Sequence, residues 1–242
     1  MGFEIEETTP AEEHPYSFRD YIMQPLKLSN RIFLAIVSSP KLRYWFLATL
    51  LGSIFTAIGS WSVMNRLIID VRFSGEIPEG ARELVKSMIE FSVRNPLMIF
   101  LNSLVGEFLT SLISGLAIFL IARSLAGKGG FSSGIMVAGL RALPSMTYGV
   151  LLALIGLSMP EVEWKIEIGP QMGPSGFKTN IPWEVFLQDS LLQLVISVWF
   201  LMVLLACYTR GYGMTRSRAA AASLLTWIVT NIFLIIGIFS YI

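Results

Sequence analysis

The sequence has very little of what most enzymes and disulfide-bonded proteins need. It contains one cysteine, Cys207, and one histidine, His14, in 242 residues. A single cysteine excludes an intramolecular disulfide, and a single histidine without nearby ligands does not indicate a zinc site. Neither a His-Glu-x-x-His helix nor a Gly-x-Ser-x-Gly nucleophile elbow occurs. We therefore predict that the protein is not an enzyme and has no catalytic residues, no metal and no cofactor.

Charged residues are also scarce. They make up 14% of the chain against 54% hydrophobic residues, and the net charge is +1. This is too little polar surface for a water-soluble protein of this size, and too little positive charge for a nucleic-acid partner. The first 20 residues are acidic, unlike the basic start of a cleavable signal peptide. The sequence thus predicts an integral membrane protein with an acidic leader, residues 1–20, ahead of a membrane domain, residues 21–242.

Five long apolar stretches lie between the charged segments. A bilayer core about 30 Å thick requires roughly 20 apolar helical residues, and each stretch reaches that length. The predicted spans are residues 44–65, 96–122, 131–159, 190–209 and 219–242. The sequence therefore predicts an all-α membrane protein built as a bundle of five transmembrane helices, with the lipid bilayer as its principal partner.

The positions of lysine and arginine predict the orientation. Basic residues cluster before the first span, between the second and third, and between the fourth and fifth. Cytoplasmic loops keep such an excess, so the N-terminus is expected in the cytoplasm and the C-terminus outside the cell membrane. Four basic residues before the first span are expected to contact anionic lipids of the inner leaflet. They are Lys27, Arg31, Lys41 and Arg43.

Three shorter segments have patterns of their own. Residues 29–39 and 81–94 place apolar residues at helical spacing, which predicts two amphipathic helices at the membrane interface. Residues 161–168 alternate charged and apolar side chains, which is strand geometry. Gly-Pro pairs follow, and residues 177–181 supply a returning strand. We predict a small extracytoplasmic β-hairpin.

Two predicted spans each contain one charged residue, Glu107 in the second and Arg141 in the third. An ionisable side chain at the bilayer centre costs about 2.5–3.5 kcal/mol on insertion scales, so each charge requires a reason. Three readings are open. The two residues form a buried ion pair that fixes helix register, they handle a substrate or a proton, or they do not pair.

Further polar residues follow in the later spans. Pro144 removes a backbone donor beside Arg141 and predicts a kink, with a hinge or cavity as the alternative. Asp189 and Gln193 lie one turn apart at the start of the fourth span. Such residues either hydrogen-bond neighbouring helices or line a hydrophilic path.

Five short segments carry a family resemblance. They are Tyr21–Pro25 leading to Arg31–Phe33, Ile121–Phe131, Leu143–Pro144, Ser197–Trp199 and Gly211–Ala219. In these segments the chain resembles the Yip-domain family of membrane proteins. The resemblance implies five spans with a cytoplasmic N-terminus. Eukaryotic relatives act without catalysis in vesicle traffic and bind prenylated GTPases, but the Asp-Leu-Tyr-Gly-Pro motif of that branch is missing here. The chain is more similar to prokaryotic members, whose activity is generally unassigned.

Two functions follow as expectations. The first is a non-enzymatic protein of Yip type that organises or shapes membrane, or scaffolds a membrane-protein partner or a second copy of itself. The alternative is a small transporter, channel or lipid-translocating protein that uses the polar residues inside the bilayer. A dry bundle favours the first function, and a cavity that reaches Glu107 or Asp189 favours the second.

Overall fold

The computed structural model describes residues 16–27, 30–74, 78–126, 129–169, 177–180 and 183–241. The α-helices are α1 Phe18–Met23, α2 Asn30–Ser38, α3 Leu42–Met64, α4 Glu79–Arg94, α5 Pro96–Ala126, α6 Phe131–Gly139, α7 Ala142–Ser158, α8 Trp183–Ala206 and α9 Arg216–Tyr241. A 3₁₀ turn, Gln24–Lys27, follows α1, and a π-helical turn, Cys207–Gly211, follows α8. The strands are β1 Leu67–Phe73, β2 Val162–Ile168 and β3 Phe177–Asn180.

Four helical segments among the described residues are long and apolar enough to cross a membrane. They are Leu42–Met64, Pro96–Ala126, Phe131–Ser158 and Asp189–Gly211. These segments coincide with the first four predicted spans to within a few residues, so a multi-pass membrane protein is supported. The fifth predicted span falls on α9, and its last residue lies outside the described part of the chain. The count of five spans stays a prediction.

Helices α3 and α7 pack against each other through glycine. A Cβ atom on Gly59 would lie 3.0 Å from Leu152 Cβ, and one on Gly156 would lie 2.6 Å from the carbonyl carbon of Ser62. A Cβ on Gly149 would overlap the Phe55 carbonyl. Residue numbers rise together along both helices, so the two helices are parallel. Small residues allow backbones to approach closely inside a bilayer, where lipid removes the hydrophobic drive for helix association.

The parallel arrangement of α3 and α7 explains the sheet. Both helices end on the same side of the bundle, and each chain continues there as a strand, so β1 and β2 pair in parallel from Leu67↔Val162 to Phe73↔Ile168. Strand β3 pairs antiparallel with β2. The two predicted hairpin strands therefore form, while their turn at residues 170–176 lies outside the described residues. The sequence prediction missed β1, although Ile69, Val71 and Phe73 alternate with Asp70 and Arg72.

The first helices pack into the other end of the bundle. Tyr21, Phe33 and Ile36 are fully buried, in one cluster with Met136 and Tyr208. The Tyr21 hydroxyl donates to the Met136 carbonyl at 2.6 Å, and burial raises the pKa of Tyr21 well above its usual value. The prediction that α2 presents its apolar face to the membrane interface is wrong, because the protein itself buries that face.

The folded region also starts earlier than the predicted boundary after residue 20. Ser17 caps α1 by accepting from the Asp20 amide at 3.2 Å, and the Asp20 carboxylate accepts from the Ser17 amide at 2.9 Å. The hydrogen bond from the Ser17 amide to the carboxylate, with those from the Ser17 hydroxyl and the Gln24 side chain, lowers the pKa of Asp20. The Tyr16 side chain is buried against Tyr44. Residues 16–20 therefore belong to the membrane domain, and residues 1–15 lie outside the described chain.

Helix α4 differs from α2 because none of its side chains is buried. Leu84, Met88 and Phe91 lie on one face and are each more than half exposed. The charged residues Glu83 and Glu90 occupy another face. This helix overlaps the predicted amphipathic helix at 81–94, and its free apolar face suits the membrane interface.

Candidate functional site: a polar cavity among the spans

A cavity of about 420 Å³ lies between α3, α5, α7, α8 and α9. Such a volume is within the usual range for small-ligand sites. The lining residues are Thr56, Ser60, Val63, Met64, Leu67, Glu107, Arg141, Pro144, Ser145, Tyr148, Leu152, Ile155, Met159, Trp164, Asp189, Gln193, Ile196, Ser197, Phe200 and Asn231. The structure therefore places Glu107, Arg141, Pro144, Asp189 and Gln193, the intramembrane residues singled out from the sequence, around one space.

The cavity occupies one half of the bundle. Leu67 and Trp164, from the two parallel strands, line it at the sheet end. Arg141 and Phe200 line it at the other end, and Phe200 also belongs to the buried cluster around Tyr21 and Met136. Arg141 and Met159, which both line the cavity, are about 27 Å apart along the chain if the segment between them is wholly helical. The bundle is thus hollow and partly polar toward the sheet, and tightly packed toward α1 and α2.

A hydrogen-bonded network fixes one wall. The Tyr148 hydroxyl donates to Asp189 Oδ1, and Gln193 Nε2 donates to Asp189 Oδ2 at 2.9 Å. Gln193 Nε2 also lies 3.3 Å from the Tyr148 oxygen. The sequence predicted the one-turn spacing of Asp189 and Gln193, but not Tyr148 as their partner on α7. Both oxygens of this carboxylate already accept a hydrogen bond from the protein.

The third apolar segment is interrupted beside the cavity. Helix α6 ends at Gly139 and α7 begins at Ala142, so Leu140 and Arg141 form a turn between them. Their amide groups bond to carbonyls three residues back, at 3.1 Å and 3.0 Å. Pro144 has no N–H to donate to the Leu140 carbonyl, which explains why the α-helical ladder breaks there. The break lies at the position where the sequence predicts a kink.

The Glu107–Arg141 ion pair is absent from the structure. Among the described residues, salt bridges occur between Asp70 and Arg72 and between Glu163 and Lys165, all on the sheet. Helix α5, which carries Glu107, packs chiefly on α3, α6 and α9, whereas α7, which follows Arg141, packs chiefly on α3 and α8. The predicted register-fixing pair is therefore wrong, although both residues line the same space.

Several buried polar atoms around the cavity lack a partner in the protein. They are Thr56 Oγ1, Arg141 Nη1 and Trp164 Nε1, and Ser114 Oγ is the remaining such side-chain atom in the described residues. Buried polar groups in native proteins nearly always have a hydrogen-bond partner, and an unmade bond costs about 1–3 kcal/mol. Three of these four atoms belong to residues that line one cavity. This concentration is the feature expected of a binding site.

Sequence reasoning missed Thr56, Ser60 and Trp164 as cavity residues. Thr56 and Ser60 are one turn apart in an otherwise apolar span, which was an available signal. Trp164 gave none, because its position over the cavity depends on β2 pairing with β1.

The basic residues predicted to contact anionic lipid lie away from the cavity. Arg31 and Arg43 are exposed. Lys41 Nζ donates to the Tyr16 carbonyl at 3.0 Å and lies 4.6 Å from the Tyr16 ring centre. Lys41 therefore has a partner within the protein. The side chain of Lys27 is outside the described part.

In the described part of the chain, no group of three His, Cys, Asp or Glu side chains is placed to hold a metal ion. The cavity is instead lined by one guanidinium, two carboxylates, two side-chain amides, hydroxyls, an indole and apolar side chains. Comparison of the chain with protein-family models, curated proteins and solved structures gave no match.

Proposed function

We propose that this chain is a five-span membrane protein, N-terminus in the cytoplasm and C-terminus outside the cell membrane, that binds a small polar solute in its cavity and moves it across the bilayer. The observation that carries the proposal is one cavity lined by Glu107, Arg141 and Asp189 inside the spans. In the part of the chain that the structure describes, neither Glu107 nor Arg141 forms an ion pair that would account for a structural role. Charged groups inside a membrane bundle typically mark a substrate or ion pathway.

The two unequal halves of the bundle support transport rather than binding alone. The sheet half holds the cavity, and the half around Tyr21 and Met136 is filled by a cluster of buried side chains. A helix break at Leu140–Arg141 lies at the boundary between the halves. Broken helices beside midplane sites allow transporters to rock one part of a bundle against another. On this proposal α1 and α2 close the cytoplasmic side.

Transport predicts a flux that depends on the cavity. Purified protein in liposomes should take up at least one member of a radiolabelled panel of an amino acid, a dicarboxylate, a sugar and a polyamine. We expect Glu107→Gln and Asp189→Asn each to lower that uptake at least tenfold, because each removes a charge from the cavity wall. Glu83→Gln on the exposed surface of α4 is the matched control and should retain uptake. Uptake equal to that of protein-free vesicles for the whole panel would defeat the transport proposal.

The topology has its own test. Cys207 is the one cysteine of the sequence, so a Cys207→Ser background has no native thiol that could react with a maleimide. In that background, Glu83→Cys should react with an impermeant maleimide added outside intact cells. Arg123→Cys should react with it only after the cells are lysed. Glu83 lies on α4, before the start of α5, and Arg123 lies in the last turn of α5, so the long helix α5 separates the two positions, and both are exposed. Equal labelling of Arg123→Cys in intact cells would contradict the proposed orientation.

One observation favours the second candidate, a membrane-organising protein of Yip type. The free apolar face of α4, formed by Leu84, Met88 and Phe91, could wedge into one leaflet and curve it. The resemblance in the five sequence segments adds to this reading. Tubulation of liposomes by a protein without any solute uptake would favour it over transport.

A further inference from the structure

We infer that the cavity binds a small zwitterion, whose anionic group meets Arg141 and whose cationic group meets Glu107. The inference rests on the proposed solute-binding function and names the chemical class of the solute. It starts from the charged groups that line one space and from which of them already have partners in the protein.

Arg141 requires an acceptor. Its Nη1 atom is buried and bonds to no group of the described protein. A guanidinium carries five donors in a fixed plane and suits a carboxylate or phosphate oxygen. Since Glu107 does not pair with it, the acceptor that fits must enter through the cavity.

Glu107 requires a donor for the same reason. It lines the cavity, and none of the hydrogen bonds or ion pairs among the described residues involves it. Asp189, the other acid of the cavity, is already held by Tyr148 and Gln193. An ammonium group beside Glu107 would compensate its charge without displacing any existing contact.

Three kinds of ligand can be compared by charge. A simple anion satisfies Arg141 and leaves Glu107 repelling it, and a simple cation satisfies Glu107 and leaves Arg141 without an acceptor. A zwitterion satisfies both and adds no net charge to a low-dielectric site, where an uncompensated charge is most costly. The remaining alternative is an anion that enters together with a proton on Glu107.

The rest of the cavity describes the body of the ligand. Leu152, Ile155 and Phe200 contribute apolar wall, and about 420 Å³ is more than the charged groups alone require. A zwitterion with a short apolar side chain therefore fits. Free amino-acid-like solutes and ethanolamine-type lipid headgroups share this chemistry, and the experiment below distinguishes them.

The test uses full-length protein in detergent and three matched probes: leucine, N-acetyl-leucine, which lacks the positive charge, and leucinamide, which lacks the negative charge. A ligand that binds the folded protein at one site stabilises it by RT ln(1 + [L]/Kd), so the rise in melting temperature with ligand concentration gives an apparent Kd. We expect an apparent Kd for leucine at least tenfold below the values for both analogues. O-phosphoethanolamine and dihexanoyl-phosphatidylethanolamine form the lipid arm.

The variants should change selectivity rather than only affinity. Glu107→Gln should bind N-acetyl-leucine better than leucine, and Arg141→Gln should bind leucinamide better than leucine. A merely structural role for either residue would weaken all three probes together. The controls Glu83→Gln and Arg123→Gln change exposed residues of the same types and should keep the wild-type order.

Each outcome decides the inference. A zwitterion site is supported if leucine or the short-chain lipid binds most tightly to the wild type and the two variants shift selectivity in the opposite directions given above. Whichever of the two binds more tightly identifies a free solute or a headgroup as the source. If N-acetyl-leucine binds as tightly as leucine, and binds more tightly as the pH falls, the zwitterion inference is wrong. The ligand is then an anion that enters the cavity together with a proton. If no probe shifts the melting temperature, the inference fails, while the uptake panel still decides the transport proposal independently.

Discussion

Replacement of Gly149 by leucine is expected to prevent stable assembly of the bundle. A Cβ atom at this position would overlap the Phe55 carbonyl and lie 2.7 Å from the Thr56 nitrogen, so even one carbon must push α3 away from α7. Backbone atoms cannot rotate aside as a flexible side chain can. Overpacking typically costs 1–3 kcal/mol, and because leucine adds three more carbons against rigid backbone we expect about 3 kcal/mol or more.

The measurement is the melting temperature and gel-filtration profile of Gly149→Leu in detergent. Gly106→Leu is the matched control, since a Cβ on Gly106 of α5 meets nothing within 4 Å. The control makes the same chemical change on an open helix surface and should assemble normally. A normal melting temperature for Gly149→Leu would mean that α3 and α7 are not packed as described. The cavity would then lose its basis too, because its residues Thr56 and Tyr148 lie on these two helices.

Replacement of Tyr21 by alanine is expected to loosen the closed half of the bundle. The Tyr21 side chain is fully buried and hydrogen-bonded to the Met136 carbonyl. Truncation of a large buried aromatic side chain to alanine costs about 3–5 kcal/mol. Cys207 belongs to the same buried cluster, and the residue is 1% exposed. Local opening of this half should therefore expose Cys207, the one thiol in the chain.

The rate at which N-ethylmaleimide modifies Cys207 measures that opening. Each 1.4 kcal/mol changes an equilibrium tenfold, so a loss of about 3 kcal/mol raises the open population, and the labelling rate, roughly 100-fold. Tyr21→Phe keeps the ring and loses one hydrogen bond of about 1 kcal/mol, so its labelling should rise less than tenfold. Unchanged labelling in Tyr21→Ala would show that α1 does not close this side.

The two variants test different halves of the proposed mechanism. Gly149 fixes the distance between the helices that carry Thr56 and Tyr148, while Tyr21 anchors α1 on α6. If the protein transports by alternating access, loosening the closed half should also alter solute uptake, whereas Tyr21→Phe should alter it little. Uptake in the Tyr21 variants therefore links stability of the closed half to function.

Much of the fold follows from local sequence properties. The four long apolar segments, the amphipathic α4 and the strand at residues 162–168 were predicted to within a few residues, because hydrophobic length and periodicity act within one segment. The charges within spans were likewise visible, since any ionisable residue in an apolar stretch is conspicuous. Local pattern thus sufficed to nominate Glu107, Arg141, Asp189 and Gln193.

What the sequence could not determine depends on which segments are neighbours. The sequence left open whether Glu107 and Arg141 form a pair, and the structure places both on the wall of one cavity without an ion pair between them. The parallel strand β1 and the position of Trp164 likewise follow from α3 and α7 ending side by side. The apolar stripe of α2 indicated a buried or lipid-facing surface equally well. Sequence alone determined the four long apolar segments and their unusual charges. Tertiary packing decided that those charges line one cavity, because the distance between segments is a property of the assembled bundle.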